Sequence, residues 1–494
     1  VKKLNAMLMC DFYKIAHRTM YPVKTELVYS TWIPRTSRMN CNEVVVFGIQ
    51  SFVKLYLIDF FNDNFFNRNE EEIVEEYSRI IKNTLGEQNP DVQHIRDLHK
   101  LGYLPLRMRA LPEGSVIPLR VPMMTVENTN PKFFWLTNFI ESLASCELWQ
   151  ASTSATIARE YKNILDFWAL KTVGNTEFVK FQGHDFSMRG MSSLNSAISS
   201  GMGHLTSFVG TDNIPAIQGA EEVYGADVEK ELVGTSIPAT EHSVQCAYED
   251  DLAYLRNIIT KVHPKGFVSV VSDGYDFWDI IGRIVPLLKT EILNRKGVGI
   301  GDRVVIRPDS GDLVKIVCGD KEGKTELERN GAIEALWNIF GGTVSEKGYK
   351  ILDSHIGLIY GDAITLERCN EICKQLEAKG FASINCVFGI GSYTYQYNTR
   401  DTFGFALKST LCVIDGVEKQ IFKTPKTDNG VKNSLKGRVI VVEENGKYKY
   451  IDCIGLKEHR PENCLKDVFL NGKLCNEQTL SEIRTRIIKY SEGK

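Results

Sequence analysis

Residues 302–312 read DRVVIRPDSGD: the short apolar run Val304-Val305-Ile306 closes on Arg307-Pro308-Asp309-Ser310-Gly311-Asp312. A strand exit uses the proline and the glycine, which preset a turn, but it calls for neither an arginine nor two aspartates. Five other runs between about 177 and 392 end the same way, on a polar or glycine-bearing tip. They are FVKFQGHDF (178–186), LTSFVGTD (205–212), FVSVVSDGYD (267–276), HIGLIYGD (355–362) and INCVFGIGS (384–392).

Helix-patterned segments separate several of these runs: EDDLAYLRNIITKV, DFWDIIGRIVPLLKTEIL, AIEALWNIF and LERCNEICKQLEAK. Strands alternating with helices imply βα units and a parallel sheet. A doubly wound sheet would gather its polar tips at one switch point. Six functionalised strand ends instead fit an α/β fold built on an irregular β/α barrel, whose active site lies where those ends converge. Outside this region LPLRMRALPEGSVIPLRVPMMTVEN, near 104–128, is β-rich, and LCVIDGVEKQIFK, GRVIVVEENGKYKYID and VFLNGKLC carry DG and NG hairpin dipeptides. The expected organisation is residues 1–150 and 401–494 forming a second, β-rich α+β domain, with the barrel, 151–400, inserted between them.

At 494 residues the chain is too long for one ordinary core, which agrees with two domains. Its net charge of −3 gives no general pull toward nucleic acid or an anionic membrane, so a polyanionic ligand must be met by local cations. No run is long and apolar enough to span a bilayer, and VKKLNAMLMCDFYK lacks the apolar stretch of a signal peptide. The twelve cysteines include no CxxC pair and read as reduced thiols in a cytoplasmic setting. Cys369 and Cys373 are spaced for one helix face, but no nearby histidine completes a metal site.

The tips present Asp185, Arg189, Asp212, His242, Asp273, Arg307, Asp309, Asp362 and Arg400, with Gly361, Gly389 and Gly391. Glycine tips let backbone N–H groups close on phosphate, arginine pairs bidentately with it, and aspartate bridges ribose hydroxyls or metal-bound water. Together they point to a phosphorylated, hydroxyl-rich ligand with Mg²⁺. FGIGS by itself is more often a tight turn than a phosphate cradle, and a lone histidine such as His242 is equally structural. HExxH, GxSxG and GxxxxGK[ST] are absent, which removes zincin, serine-hydrolase and P-loop readings.

DFYKIAH, GHDFSMRG, GTD, SIPATEHS, SVVSDGYD, IRPDSGD, the GD at 361–362, and FGIGS with TRD at 388–401 occur in one order over nearly the whole chain. In that order they resemble the nicotinamide phosphoribosyltransferases, of the type II phosphoribosyltransferase family. The resemblance implies an enzyme making nicotinamide mononucleotide and pyrophosphate from nicotinamide and phosphoribosyl pyrophosphate. It implies Mg²⁺ held mainly through substrate phosphates and water, ATP as co-substrate, and a homodimer with shared active sites. By the same resemblance Phe186 and a partner-subunit Tyr13 sandwich the pyridine ring, Asp212 accepts from the carboxamide, Ser269 lies near the amide, and Arg307 lies by the ring and pyrophosphate. Asp309 holds the ribose hydroxyls, and Gly361, Asp362, Gly391 and Ser392 bind the 5′-phosphate. Arg189, Arg400, Arg35, Lys408, Lys423 and Lys432 meet the diphosphate, and His242, flanked by Glu241 and Asp273, is phosphorylated by ATP. Ser187-Met188 and Ser392 depart from the family pattern, and the Lys423–Lys432 spacing is one residue off. The alternatives are a nicotinate phosphoribosyltransferase, which Asp212 opposes, and a non-catalytic binding or signalling protein on the same fold.

Overall fold

The strand Val304–Arg307 lies inside a six-stranded parallel sheet in the computed structural model, which describes residues 4–295, 302–361, 363–422, 435–454 and 462–492. Across the sheet the strands run Gly210–Thr211, Gly183–Asp185, Cys386–Ile390, Ile356–Tyr360, Val304–Arg307 and Val268–Val271. The register pairs Val271 with Arg307, Tyr360 with Phe388 and Ile390 with Asp185, so the polar tips leave the sheet on one side.

Both edges of this sheet meet one segment, residues 235–240. Gly210 bridges Thr235 at one edge and Ser269 bridges Ala239 at the other, each in parallel. Thr235 N donates to Val209 O (2.7 Å), and Ser269 N donates to Pro238 O (2.8 Å). Pro238 offers no N–H, so the segment closes the ring without becoming a regular strand. The result is an irregular β/α barrel.

Two of the apolar runs are less extended than their composition suggests. Val179–Gln182 is a helical turn, leaving only Gly183–Asp185 as strand, and Leu205 ends the helix Leu194–Leu205, leaving only Gly210–Thr211. A short buried apolar run satisfies either geometry, and hydrophobicity does not separate them. Gly183 is needed for close packing, because a Cβ there would lie 2.8 Å from the Phe208 ring. The helix Leu366–Ala378 buries Cys369, Ile372, Cys373 and Leu376, the i, i+3, i+4, i+7 face of an amphipathic helix. The two cysteines are therefore core residues. Thr365 caps this helix by accepting from Arg368 N.

The barrel belongs to a compact unit of Ile157–Gln218 and Asp227–Tyr397; a second unit comprises Val1–Thr156, Gly219–Ala226 and Asn398–Lys494. The second unit is built on a seven-stranded antiparallel sheet. In it Thr25–Ile33 lies between Ala406–Ile414 and Met124–Asn128, so chain segments from both ends interleave in one β-rich α+β domain. Trp32 stacks on Phe405 at 5.4 Å, tying those segments together. Glu113 is fully buried there and accepts from Gly48 N, Gln50 N and Tyr224 Oη, which satisfies its oxygens.

Candidate active site at the barrel strand ends

Arg307 ends its strand, and Asp309 follows two residues later. Arg307 Nη2 donates to Thr240 O at 2.8 Å, and its Nε lies 3.4 Å from Asp309 Oδ1. Gly361 makes room for this pair: a Cβ there would stand 2.1 Å from Asp309 Oδ1. The glycine at that tip is thus required by the approach of a carboxylate rather than by backbone conformation.

The Asp273 carboxylate is shared among three neighbours. Its Oδ1 lies 3.0 Å from His242 Nε2, while Oδ2 accepts from Asp309 N (2.8 Å) and Ser310 Oγ (2.5 Å). Burial opposes its charge, but the Ser310, Asp309 and His242 hydrogen bonds outweigh it and hold the carboxyl below the ordinary aspartate range. His242 opens the short helix His242–Gln245 with its side chain 48% exposed, and Glu241 beside it is exposed and hydrogen-bonded by Ser243 Oγ. A half-exposed imidazole anchored through one nitrogen by a carboxylate is oriented for chemistry at the other.

A second group of side chains lines up around Phe186 and Asp212. Phe186 N donates to Ile390 O, and its ring lies over Gly389, where a Cβ would come within 2.4 Å of it. Asp212 Oδ1 receives His184 Nε2 at 2.9 Å and Ser236 Oγ at 2.5 Å. Burial again opposes the charge, yet these two donors and the nearby Arg307 guanidinium hold Asp212 below its ordinary range. Ser269 Oγ is buried without a hydrogen-bond partner among the described residues, although Ser269 is only 4% exposed. A buried hydroxyl without a protein partner is where a ligand's polar group gains most.

Asp185, expected at the site, is instead wholly buried and holds its own turn, accepting from Ser187 N and Ser187 Oγ. The Ser187 hydroxyl adds the second of these bonds, which gives its departure from the family pattern a local reason. Arg189 and Met188 are exposed on the turn Met188–Gly190. Gly190 packs on Ser392, since a Cβ at 190 would sit 2.1 Å from Ser392 Oγ, whereas one at Gly391 would meet nothing within 4 Å. Asp362, Lys423 and Lys432 lie outside the described residues.

In the other unit Arg35 Nε donates to Gly404 O at 2.8 Å, and burial with the neighbouring Arg400 charge pushes its pKa down. Lys408 is also lowered, by burial first, with Arg35, Lys14 and Arg400 adding repulsion and Glu141, 3.8 Å away, opposing it. Crowded cations that destabilise one another favour an anionic ligand. Tyr13 is 58% exposed on the helix Phe12–Met20, with Lys14 Nζ 4.9 Å from its ring centroid.

Among the described residues no group of three His, Cys, Asp or Glu could hold a metal, and no helix is long and apolar enough to cross a membrane.

The sequence model of the nicotinate phosphoribosyltransferase family matches residues 181–473, and that of the nicotinamide phosphoribosyltransferase N-terminal domain matches residues 5–108. A nicotinamide phosphoribosyltransferase of Acinetobacter baylyi is 48% identical across 99% of this chain and 98% of its own. One from Mycoplasma pneumoniae is 34% identical across 88% and 95%. The chain belongs to the nicotinamide phosphoribosyltransferases of that family. It is therefore a pentosyltransferase. Two solved structures share the fold: a nicotinate-nucleotide pyrophosphorylase from Pyrococcus furiosus (TM-score 0.60, 17% identity, 99% of this chain and 95% of that one) and human nicotinic acid phosphoribosyltransferase (0.54, 16%, 98% and 94%).

The family motifs do not by themselves single out His184, Ser236 or Thr240, which the structure places against Asp212 and Arg307. His184 sits inside an apolar run, where a histidine reads as core. Ser236 and Thr240 flank Pro238 and read as turn residues. Their signal lay only in the company of GHD and SIPAT in one phosphoribosyltransferase sequence.

Proposed function

We propose that this pentosyltransferase joins nicotinamide to phosphoribosyl pyrophosphate, giving nicotinamide mononucleotide and pyrophosphate. The observation that carries this reading is the Asp212 carboxylate, ionised and fixed through Oδ1 by Ser236 and by His184, whose ring centroid lies 4.8 Å from that of Phe186. A carboxamide N–H₂ donates to such a carboxylate, whereas a nicotinate carboxylate is repelled by it. Phe186 supplies one aromatic face for the pyridine ring, and the exposed Tyr13 of a partner subunit supplies the other in a homodimer.

Breaking the C1–pyrophosphate bond develops positive charge on the ribose and negative charge on the leaving group. Asp309 holds the ribose hydroxyls, with Gly361, Asp362, Gly391 and Ser392 around the 5′-phosphate. Arg307, Arg189, Arg35, Arg400, Lys408, Lys423 and Lys432 stabilise the departing pyrophosphate. Mg²⁺, when bound with the substrate, neutralises further phosphate charge. The pyridine nitrogen attacks with its own lone pair, so the side chains need only align it and no general base takes part.

His242 is the acceptor of a phosphoryl group from ATP in this reading. Asp273 holds its Nε2 side, with Glu241 adjacent, and phosphorylation couples ATP hydrolysis to turnover. The twelve cysteines, with no disulfide among the described residues, support a reducing, cytoplasmic setting.

A competition assay tests the whole. The full chain receives phosphoribosyl pyrophosphate, Mg²⁺ and equal nicotinamide and nicotinate, with and without ATP, and both mononucleotides are quantified. Dominance of the amide product, raised by ATP, is expected; dominance of the acid product would overturn the role of Asp212.

A further inference from the structure

Among the described residues Asp212 uses only one of its two carboxylate oxygens. His184 Nε2 and Ser236 Oγ both converge on Oδ1, and no described residue hydrogen-bonds to Oδ2. An ionised carboxylate accepts at both oxygens, so saturating one fixes the rotation of the group and leaves the other as a directed acceptor. The His184 ring is itself held. It is 9% exposed, its centroid is 4.8 Å from that of Phe186, and its Nδ1 edge rests on Gly210, where a Cβ would approach to 2.8 Å. Because its partner is a carboxylate oxygen, Nε2 carries the proton.

We infer that His184 is a specificity-determining positioning residue: with Ser236 it pins Asp212 Oδ1 so that Oδ2 alone faces the substrate's carboxamide. This rests on the reading of Asp212 as the carboxamide acceptor. A carboxylate released from both donors can rotate, or take up a proton and donate to an acid substrate, and either change erodes discrimination between amide and acid. The chain therefore chooses its substrate through a residue that need not touch the amide. Ser236 is the weaker support, since it is exposed and belongs to the segment that closes the barrel.

The test is steady-state kinetics of the full chain with phosphoribosyl pyrophosphate and Mg²⁺, varying nicotinamide or nicotinate, for H184A, H184Q, S236A and D212A. Loss of a hydrogen bond to a charged group predicts an amide-to-acid ratio of kcat/KM reduced roughly tenfold to a hundredfold in H184A. The loss is expected in KM for nicotinamide, with KM for phosphoribosyl pyrophosphate unchanged. H184Q, which retains an N–H donor, recovers most of the ratio, and S236A shows a smaller fall. If H184A keeps the wild-type ratio, or H184Q falls as far as H184A, His184 only packs and the inference fails. D212A separates the two levels. If D212A keeps the ratio, the carboxamide reading itself fails; if it collapses the ratio while H184A does not, the positioning role alone fails.

Discussion

His242 and Asp273 form a pair in which the aspartate also anchors the loop that carries Asp309: 3.0 Å from Asp273 Oδ1 to His242 Nε2, and 2.8 Å from Asp309 N to Asp273 Oδ2. One carboxylate thereby links the proposed phosphoryl acceptor to the residue proposed to hold the ribose. For D273N we expect acid-labile phosphate incorporation from labelled ATP to fall about tenfold to a hundredfold, the loss of one charge-assisted hydrogen bond. H242A should abolish that label. Label retained in H242A would remove His242 from the reaction.

The same carboxylate gives a pH signature. Its pKa is depressed in the folded protein, so its contribution is fully present above the unfolded-state value of about 3.9 and is lost as pH falls through the depressed folded value. Wild type should therefore melt above D273N at neutral pH, and the gap should close progressively below about pH 4. Thermal melts across pH 3–7 measure this. A gap independent of pH would mean that the stabilisation does not depend on the charge.

Gly361→Ala places a methyl against Asp309 Oδ1, which must move. Displacing a positioning group by about 1 Å costs on the order of a hundredfold in rate. We expect kcat/KM for phosphoribosyl pyrophosphate to fall by about that factor, with the melting temperature nearly unchanged. Equal losses in stability and activity would make Gly361 a fold residue instead.

Phe186→Ala removes one face of the ring clamp. Aromatic pairing is worth about 0.5–1.5 kcal/mol beyond area burial, so KM for nicotinamide should rise at least several-fold while KM for phosphoribosyl pyrophosphate holds. Nicotinamide titrations of the variant check this, and an unchanged KM would place the ring elsewhere.

Leu376→Ala tests the buried side of Leu366–Ala378. A fully buried leucine truncated to alanine costs about 2–5 kcal/mol, read from denaturant unfolding. A cost under about 1 kcal/mol would show that the helix face repacks.

What the sequence made legible follows from how local each signal is. IRPDSGD, SVVSDGYD and GIGS each combine a β-branched run with turn chemistry inside about ten residues, so the parallel strands and their polar exits could be read directly. The interleaving of Thr25–Ile33 between Ala406–Ile414 and Met124–Asn128 could be anticipated only as two β-rich ends seeking partners. The closing segment was hidden, because Pro238 breaks the strand pattern and its pairing is two isolated bridges. Asp185 was misread for a comparable reason. A carboxylate at a strand tip looks alike whether it faces a ligand or, as here, accepts from Ser187 inside the turn. His184 was present inside GHD, but its role toward Asp212 rests on the 2.9 Å between them.

The stretch from Thr235 to His242 has a consequence for how the enzyme can be tuned. Within eight residues it spans the gap in the barrel, gives Ser236 to Asp212, gives the Thr240 carbonyl to Arg307, and ends on the imidazole held by Asp273. Paired at each rim through an isolated bridge, it joins the two edges of the sheet without being a regular strand of it. One short backbone segment thus reaches Asp212, Arg307 and Asp273 at once, so a single substitution within it bears on all three contacts.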